Sequence, residues 1–222
     1  MVKAIIFDLD GTLLNRDASV KVFVDSQHER LNKKLDHIPK DTYITRFIEL
    51  DKRGYVWKDK VYQQLVDEFD IKQITWEELL QDYISQFKDS CVPFPNLIKM
   101  LEELKSNNLL LGMITNGYGQ FQMDNIKSLG IGKYFDVILV SEWEGIKKPD
   151  PRIFNKALEI LNVPPNEAIF VGDHPENDVL AAKKVGMKGI WKKDVQWNNV
   201  EAEYIVDDLG ELPFIVEKLR RK

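Results

Sequence analysis

The sequence predicts an α/β fold, a doubly wound parallel sheet with an inserted helical unit. Two observations predict the sheet: short apolar runs recur along the chain, and segments of helical period lie between them. A third observation predicts the insertion, because residues 16–90 contain no convincing buried strand. We therefore expect a core domain of residues 1–15 and 91–222 and a helical domain of residues 16–90.

The first predicted strand is Ala4–Phe7, which runs directly into Asp8 and Asp10. Four further short runs, most of them rich in Ile, Val or Leu, are predicted as strands buried on both faces: 109–115, 135–141, 168–172 and 186–191. Three segments are predicted as the helices that connect the strands: 96–108, 151–163 and 176–186. Alternating strands and helices are typical of doubly wound folds.

The insertion reads as four amphipathic helices: 20–35, 40–54, 57–69 and 75–90. The last helix is expected to begin with Thr75 as its N-cap, and Glu78 would complete a capping box. The insertion should begin near Asn15. It should end where Pro93 and Pro95 stop the helix, because proline cannot continue a helical hydrogen-bond ladder.

Composition excludes several classes of function. Among the 222 residues, 44% are apolar and 30% are charged, which predicts a globular rather than a disordered chain. A net charge of −5 argues against nucleic-acid binding, and the basic cluster Lys218, Arg220, Arg221 and Lys222 is interpreted as a solvated tail. With one cysteine, Cys91, and three histidines, neither an intrachain disulfide nor a zinc site is predicted.

No apolar run has the length of a membrane helix or of a signal peptide. We therefore expect a cytoplasmic protein that does not bind a membrane. Nothing in the sequence indicates an interface, and no oligomeric state is predicted.

Polar side chains gather at the predicted carboxyl ends of the strands. In a parallel sheet these ends open at one edge, where ligands bind. Five such residues follow apolar runs, and a lysine lies in the loop after the third: Asp8, Asp10, Thr115, Asn116, Asp173 and Lys148. In extended backbone, residues two apart point to the same side, so Asp8 and Asp10 can face one ligand. A divalent cation and a lysine would offset the repulsion between the carboxylates.

Four motifs in chain order resemble those of the haloacid dehalogenase-like (HAD) hydrolase superfamily: DLDGT (8–12), ITN (114–116), KKPDPRIF (147–154) and VGDHPENDVLAA (171–182). The resemblance covers essentially the whole chain. It implies a Rossmann-like core, and it implies that residues 16–90 form a C1-type helical cap that closes over the site.

The resemblance also implies a mechanism. Asp8 would be the nucleophile that forms an aspartyl-phosphate, and Asp10 would protonate the leaving oxygen and then activate water. Mg²⁺ would be the cofactor, bound by Asp8, by the backbone carbonyl of Asp10 and by Asp173. Thr12 would brace Asp8.

The phosphoryl oxygens would be bound by the Thr115 hydroxyl and the Asn116 backbone N–H. Lys148, preferred over Lys147 because proline follows it, would neutralise charge between the nucleophile and the phosphoryl group. Asp178 would not bind the metal directly but would help to position the residues that do.

These features predict a Mg²⁺-dependent phosphate monoester hydrolase acting on small phosphorylated metabolites such as nucleoside monophosphates or sugar phosphates. A phosphomutase of the same family keeps both acids and stays open as an alternative. A 2-haloacid dehalogenase is disfavoured, since dehalogenases lack an acid at the position of Asp10. A catalytically silent binding protein and a protein phosphatase are further alternatives, disfavoured by the intact motifs and by the large insertion.

Substrate contacts outside the motifs are less defined. Arg46, Tyr55 and Trp57 lie in a stretch that could face the core domain. The alternative, slightly preferred, is that Tyr55 and Trp57 pack the interior of the helical unit and Arg46 is exposed. Trp143 and Glu144 could form part of the rim of the site.

Overall fold

The structure, a computed structural model, describes residues 1–220, so Arg221 and Lys222 of the basic cluster lie outside it. The chain divides into two compact units. One is Arg16–Val92, and the other consists of Met1–Asn15 together with the chain from Pro93 onward. The second boundary therefore falls two residues later than the sequence placed it.

The unit Arg16–Val92 is helical. Its α-helices are α1 (Arg16–Arg30), α2 (Asn32–Leu35), α3 (Lys40–Asp51), α4 (Lys58–Glu68) and α5 (Trp76–Gln86). The first expected helix is thus divided into α1 and the short α2. The capping box is confirmed, because Thr75 accepts a hydrogen bond from the Glu78 backbone and Glu78 accepts one from the Thr75 backbone.

A polar network lies inside the helical unit. The Gln27 side-chain oxygen accepts hydrogen bonds from the hydroxyls of Tyr43, at 3.2 Å, and Tyr62, at 3.0 Å. All three side chains are buried, and this pairing satisfies polar groups whose burial would otherwise destabilise the fold. Burial raises the pKa of Tyr62 well above its usual value, so the hydroxyl is neutral.

The helical unit also contains a buried acid that is paired with two cations. Asp51, 2% exposed, accepts from Arg16 at 2.8 Å and also forms an ion pair with Lys58. Two cations around one buried carboxylate offset the cost of removing it from water.

Tyr55 and Trp57 do not pack inside the helical unit, and that expectation was wrong. They are 60% and 66% exposed. Both lie in the connection between α3 and α4, directly after the 3₁₀ turn Lys52–Gly54, and so fall outside the apolar helical stripes. Arg46 is partly buried, and its guanidinium forms ion pairs with Glu68 and Glu49.

The other unit is built on a six-stranded parallel sheet, which confirms the Rossmann-like α/β fold. Its strands are β1 (Ala4–Phe7), β2 (Leu110–Thr115), β3 (Val137–Val140), β4 (Ala168–Gly172), β5 (Lys188–Lys192) and β6 (Tyr204–Val206). The order is β3-β2-β1-β4-β5-β6. The sequence did not predict β6, a three-residue edge strand whose central residue, Ile205, is 50% exposed.

The helices of this unit are α6 (Leu97–Ser106), α7 (Gly119–Ser128), α8 (Ser141–Glu144), α9 (Pro151–Leu161), α10 (Ala181–Lys184) and α11 (Leu212–Arg220). A π-helical turn, Pro175–Leu180, leads into α10. Apolar residues of α9 and α10 pack on the central strands, as in the pair Phe154 and Phe170. Within residues 1–220, no helix has the length and apolar character needed to cross a bilayer.

The strand order positions a ligand site. β1 pairs with β2 on one side and with β4 on the other, and the chain order reverses between β1 and β4. In doubly wound sheets, a crevice forms at the carboxyl ends of the strands at such a reversal. Residues that directly follow β1, β2 and β4 therefore meet at one place.

Candidate active site

The turn after β1 is held tightly against β4. The Asp8 amide donates to the Val171 carbonyl at 2.9 Å, so the parallel ladder continues through Asp8. Gly11 follows with φ +84°, in the region that favours glycine. A Cβ on Gly11 would lie 2.4 Å from Asp173 Oδ2, so a side chain there would displace Asp173. Glycine is thus required for the turn to approach Asp173.

Lys148 joins two acids at the centre of the site. Its ammonium donates to Asp8 Oδ1 at 2.5 Å and to Asp178 Oδ1 at 2.6 Å, and its side chain is 3% exposed. Lys147, by contrast, is exposed, in agreement with the choice of Lys148 from the sequence. A buried cation between two carboxylates is a charge-assisted arrangement that fixes the position of both acids.

The electrostatics of the site are dominated by burial. Burial raises the pKa of Asp8 to about 6; the Lys148 ammonium opposes this rise and the Asp178 carboxylate adds to it. Burial, together with the charges of Asp8 and Asp178, also raises the pKa of Asp173 well above its usual value. Burial alone would lower the pKa of Lys148, but Asp178 and Asp8 outweigh it, and the pKa is raised.

The acids can hold a divalent metal ion. Carboxylate oxygens of Asp8, Asp173 and Asp178 lie within 4.8 Å of one another. The Lys148 ammonium pairs with Asp8 and Asp178. Burial is the main cause of the raised pKa values of Asp8 and Asp173, so a further positive charge beside these acids would favour their ionised forms. An all-oxygen donor set suits a hard cation.

Thr12 lies beside the same carboxylates. Its hydroxyl is 3.3 Å from Asp8 Oδ2 and 3.3 Å from Asp173 Oδ1, and its side chain is fully buried. A hydroxyl has one proton, so it can donate to only one of the two acids at a time. The contact with Asp8 is the one that the sequence led us to expect.

Asp178 is held from two directions. One carboxylate oxygen accepts from Lys148, and the other accepts from the His174 backbone N–H at 3.0 Å. Gly172 packs against it so closely that a Cβ there would lie 2.4 Å from Asp178 Cβ. His174 begins the π-helical turn, since its Nδ1 accepts from the backbone N–H groups of Glu176 and Asn177.

Thr115 is the last residue of β2 and Asn116 directly follows it, so both lie at the carboxyl end of the strand as expected. The Asn116 side chain also has a contact that the sequence did not indicate. Its Nδ2 donates to the Lys148 carbonyl at 3.0 Å, and its Oδ1 accepts from the Lys148 backbone N–H at 2.9 Å. This reciprocal pair joins the loop after β2 to the loop that carries the buried lysine.

Gln122, in α7, is a site residue that the sequence did not reveal. Its amide nitrogen lies 2.6 Å from Asp10 Oδ2 and 2.7 Å from the Thr115 hydroxyl. No helix was expected between β2 and β3, and no local pattern marks a glutamine whose partner is 112 positions away. Gln122 therefore connects Asp10 to the end of β2.

Trp143 and Glu144 belong to α8, directly after β3. Trp143 is 57% exposed, and Glu144 forms an ion pair with Lys156 of α9. Their proposed place on the rim of the site stays a prediction.

Comparison with known proteins agrees with this geometry. Residues 5–192 match the family model described as "Haloacid dehalogenase-like hydrolase". The chain is 31% identical to a glyceraldehyde 3-phosphate phosphatase of Pyrococcus furiosus, over all of this chain and 94% of the relative.

Two solved structures have the same fold. A HAD phosphatase from Thermococcus onnurineus superimposes with a TM-score of 0.68 at 31% identity, covering 97% of this chain and 98% of the other. A 2-haloacid dehalogenase from Pseudomonas syringae gives a TM-score of 0.64 at 25% identity, covering 99% and 100%. With four motifs in order and a family match over most of its length, the chain belongs to the haloacid dehalogenase-like hydrolase family.

Proposed function

We propose that this protein is a Mg²⁺-dependent phosphatase that hydrolyses small phosphate monoesters through an aspartyl-phosphate on Asp8. The observation that best supports this function is the buried Lys148 ammonium, which lies 2.5 Å from Asp8 Oδ1 at the carboxyl end of β1. A cation at that position favours the ionised, nucleophilic form of a carboxylate that burial would otherwise keep protonated.

Asp8 attacks phosphorus, and the ester oxygen departs. With burial raising its pKa to about 6, Asp8 is mostly ionised at neutral pH and therefore able to attack. Asp10, two residues further along the chain, donates a proton to the departing oxygen. It then accepts a proton from the water that hydrolyses the intermediate. Lys148 and the Thr115 hydroxyl, together with the Asn116 backbone N–H, bind the phosphoryl oxygens as charge develops on them.

Asp8 and Asp173, with the Asp10 backbone carbonyl, would hold Mg²⁺. The metal, when bound, supplies positive charge that polarises the phosphoryl group. The oxygen donors and the raised pKa values of Asp8 and Asp173 support this assignment. Asp178 accepts hydrogen bonds from Lys148 and from the His174 backbone, and in this way it holds Lys148 in position beside Asp8.

Small phosphorylated metabolites are the proposed substrates. The curated relative from Pyrococcus furiosus, which spans nearly the same length, is named for a three-carbon phosphate ester, and this supports a small substrate. We assign the role of a C1-type cap to the helical unit Arg16–Val92, because the insertion follows the first motif, as in family members with such caps.

The test is phosphate release from a panel of sugar phosphates, triose phosphates and nucleoside monophosphates, with Mg²⁺ and with EDTA. We expect release that requires the metal. Each alternative gives a different result in the same assay. A mutase would return an isomerised sugar phosphate with little free phosphate, and a dehalogenase would release chloride from a 2-chloro acid and leave the phosphate esters intact. A folded protein inactive towards every compound would contradict the proposal and favour a binding protein.

A further inference from the structure

Gln122 has an environment that defines the orientation of its amide. The side chain is 2% exposed. Its Nε2 faces three acceptors: Asp10 Oδ2 at 2.6 Å, the Thr115 hydroxyl at 2.7 Å and the Asn116 carbonyl at 3.3 Å. Its Oε1 accepts from Asn125 Nδ2 at 3.2 Å. The flipped amide would set an oxygen against a carboxylate and a carbonyl, so the nitrogen faces Asp10. The two N–H groups of Nε2 can serve the two nearest acceptors, Asp10 Oδ2 and the Thr115 hydroxyl.

The contact with Thr115 orients a hydroxyl. Since Gln122 donates to the Thr115 oxygen, that oxygen is an acceptor in this bond, and its own proton is directed elsewhere. In the proposed reaction, a fully buried hydroxyl oriented in this way would present its proton to a phosphoryl oxygen bound at the end of β2.

The contact with Asp10 orients a carboxyl group. The amide N–H engages Oδ2, which remains an acceptor whether Asp10 is ionised or protonated. A transferable proton therefore belongs on Oδ1. A general acid must present its proton in one direction, and a carboxyl that rotates freely would do so only part of the time.

We propose that Gln122 is a positioning residue, which orients Asp10 as the proton donor and Thr115 as the phosphoryl-binding hydroxyl through one amide group. This inference rests on the proposed phosphatase function. It assigns to α7, a helix that carries none of the motif residues, the task of coupling acid catalysis to phosphoryl binding.

The test compares two leaving groups. The anion of p-nitrophenol departs readily without a proton, whereas a primary alkoxide needs one. Loss of orientation at Asp10 should therefore slow an alkyl phosphate more than p-nitrophenyl phosphate. For Gln122→Met, which keeps the length but lacks a donor, we expect kcat to fall about 10- to 100-fold on the best alkyl phosphate of the panel and only a few-fold on the aryl ester.

The controls separate positioning from folding. Gln122→Glu keeps the shape but offers no N–H donor, and it should show the same selective loss. Gln120→Met alters an exposed glutamine of α7 that donates to Asp124, and it should leave both rates unchanged. Asp10→Asn removes the proton donor itself, so it should show a larger difference between the losses of kcat on the alkyl and the aryl phosphate than either Gln122 variant. Gln120→Met should leave the melting temperature unchanged, whereas Gln122→Met removes buried hydrogen bonds to Thr115 and Asn125 and should melt a few degrees lower. Rates are therefore compared well below the melting temperature of each variant.

Equal losses on the two substrates in both Gln122 variants, or no loss, would overturn this inference while leaving the phosphatase proposal intact. A wild-type enzyme that releases phosphate from neither substrate would overturn both. A rise in KM without the change in the kcat ratio would mean that Gln122 acts only in binding, and that result also contradicts the proposal.

Discussion

Replacing Lys148 by methionine should destabilise the folded protein, and more so at alkaline pH. The Lys148 ammonium lies 2.5 Å from Asp8 Oδ1 and 2.6 Å from Asp178 Oδ1, with 3% of the side chain exposed. Methionine keeps an unbranched apolar chain but removes the charge, so two buried carboxylates lose their counter-ion. Removing one partner of a buried ion pair lowers the free energy of unfolding by about 3–5 kcal/mol.

The pH dependence follows from Asp8. Its pKa is about 6 with the lysine present, and loss of the lysine raises it further. Below pH 6, Asp8 is protonated in both proteins, and the difference in stability comes mainly from Asp178. As pH rises above 6, only the wild type gains an ionised, paired Asp8. The difference in unfolding free energy then grows by about 1.4 kcal/mol per pH unit until the new pKa is reached.

The assay is thermal unfolding in EDTA at pH 5 and pH 8. In a protein of this size, about 1 kcal/mol corresponds to roughly 2–4 °C, so Lys148→Met should melt roughly 6–20 °C lower at pH 8. The reduction at pH 5 should be smaller. Lys147→Met removes the neighbouring exposed lysine and serves as the matched control. If Lys148→Met and the control melt together at pH 8, the buried lysine does not hold the acids as described.

Three further changes test other parts of the structure. Gly172→Ala places a Cβ 2.4 Å from Asp178 Cβ, so we expect a loss of about 1–3 kcal/mol in stability and a fall in kcat; an unaltered melting temperature would contradict the packing. Mg²⁺ added to EDTA-treated protein should raise the melting temperature, by more at pH 7.5 than at pH 5. The raised pKa of Asp8 means that its contribution to stability is present near pH 4 and lost as pH rises through about 6, and the cation offsets that loss. A shift independent of pH, or one unchanged in Asp8→Asn, would refute this reasoning. Asp51→Ala leaves Arg16 without its buried acceptor and should destabilise the helical unit by about 2 kcal/mol, seen as faster limited proteolysis within residues 16–92; an unchanged digestion rate would contradict it.

The strands could be predicted because each is a short apolar run that ends at a polar residue. Asp8 and Asp173 directly follow β1 and β4, and parallel strands bring such ends together, so their proximity followed from the pattern. The edge strand β6 was not predicted because its apolar run is only three residues long, and the central residue, Ile205, is 50% exposed.

Contacts between distant side chains were not predictable in the same way. Gln122 reaches Asp10 across 112 positions, and its place depends on the start of α7 and on the turn at Gly117–Gly119 rather than on any periodicity. The reciprocal pair of Asn116 with Lys148 likewise joins two loops whose relative path only the fold defines. Tyr55 and Trp57 were misassigned because aromatic residues in a helix-rich stretch favour burial, whereas the connection after α3 leaves them exposed.

The most direct test of the account is the rate of phosphate release by Asp8→Asn on the best substrate of the panel, with Mg²⁺ present and the fold checked by thermal unfolding. Asp8→Ala measured beside it excludes recovery of aspartate by deamidation. If Asp8 is the nucleophile, both variants should lose about three orders of magnitude or more in kcat. Rates within about tenfold of the wild type would contradict a covalent mechanism at Asp8, because lost positioning alone can cost up to about 100-fold.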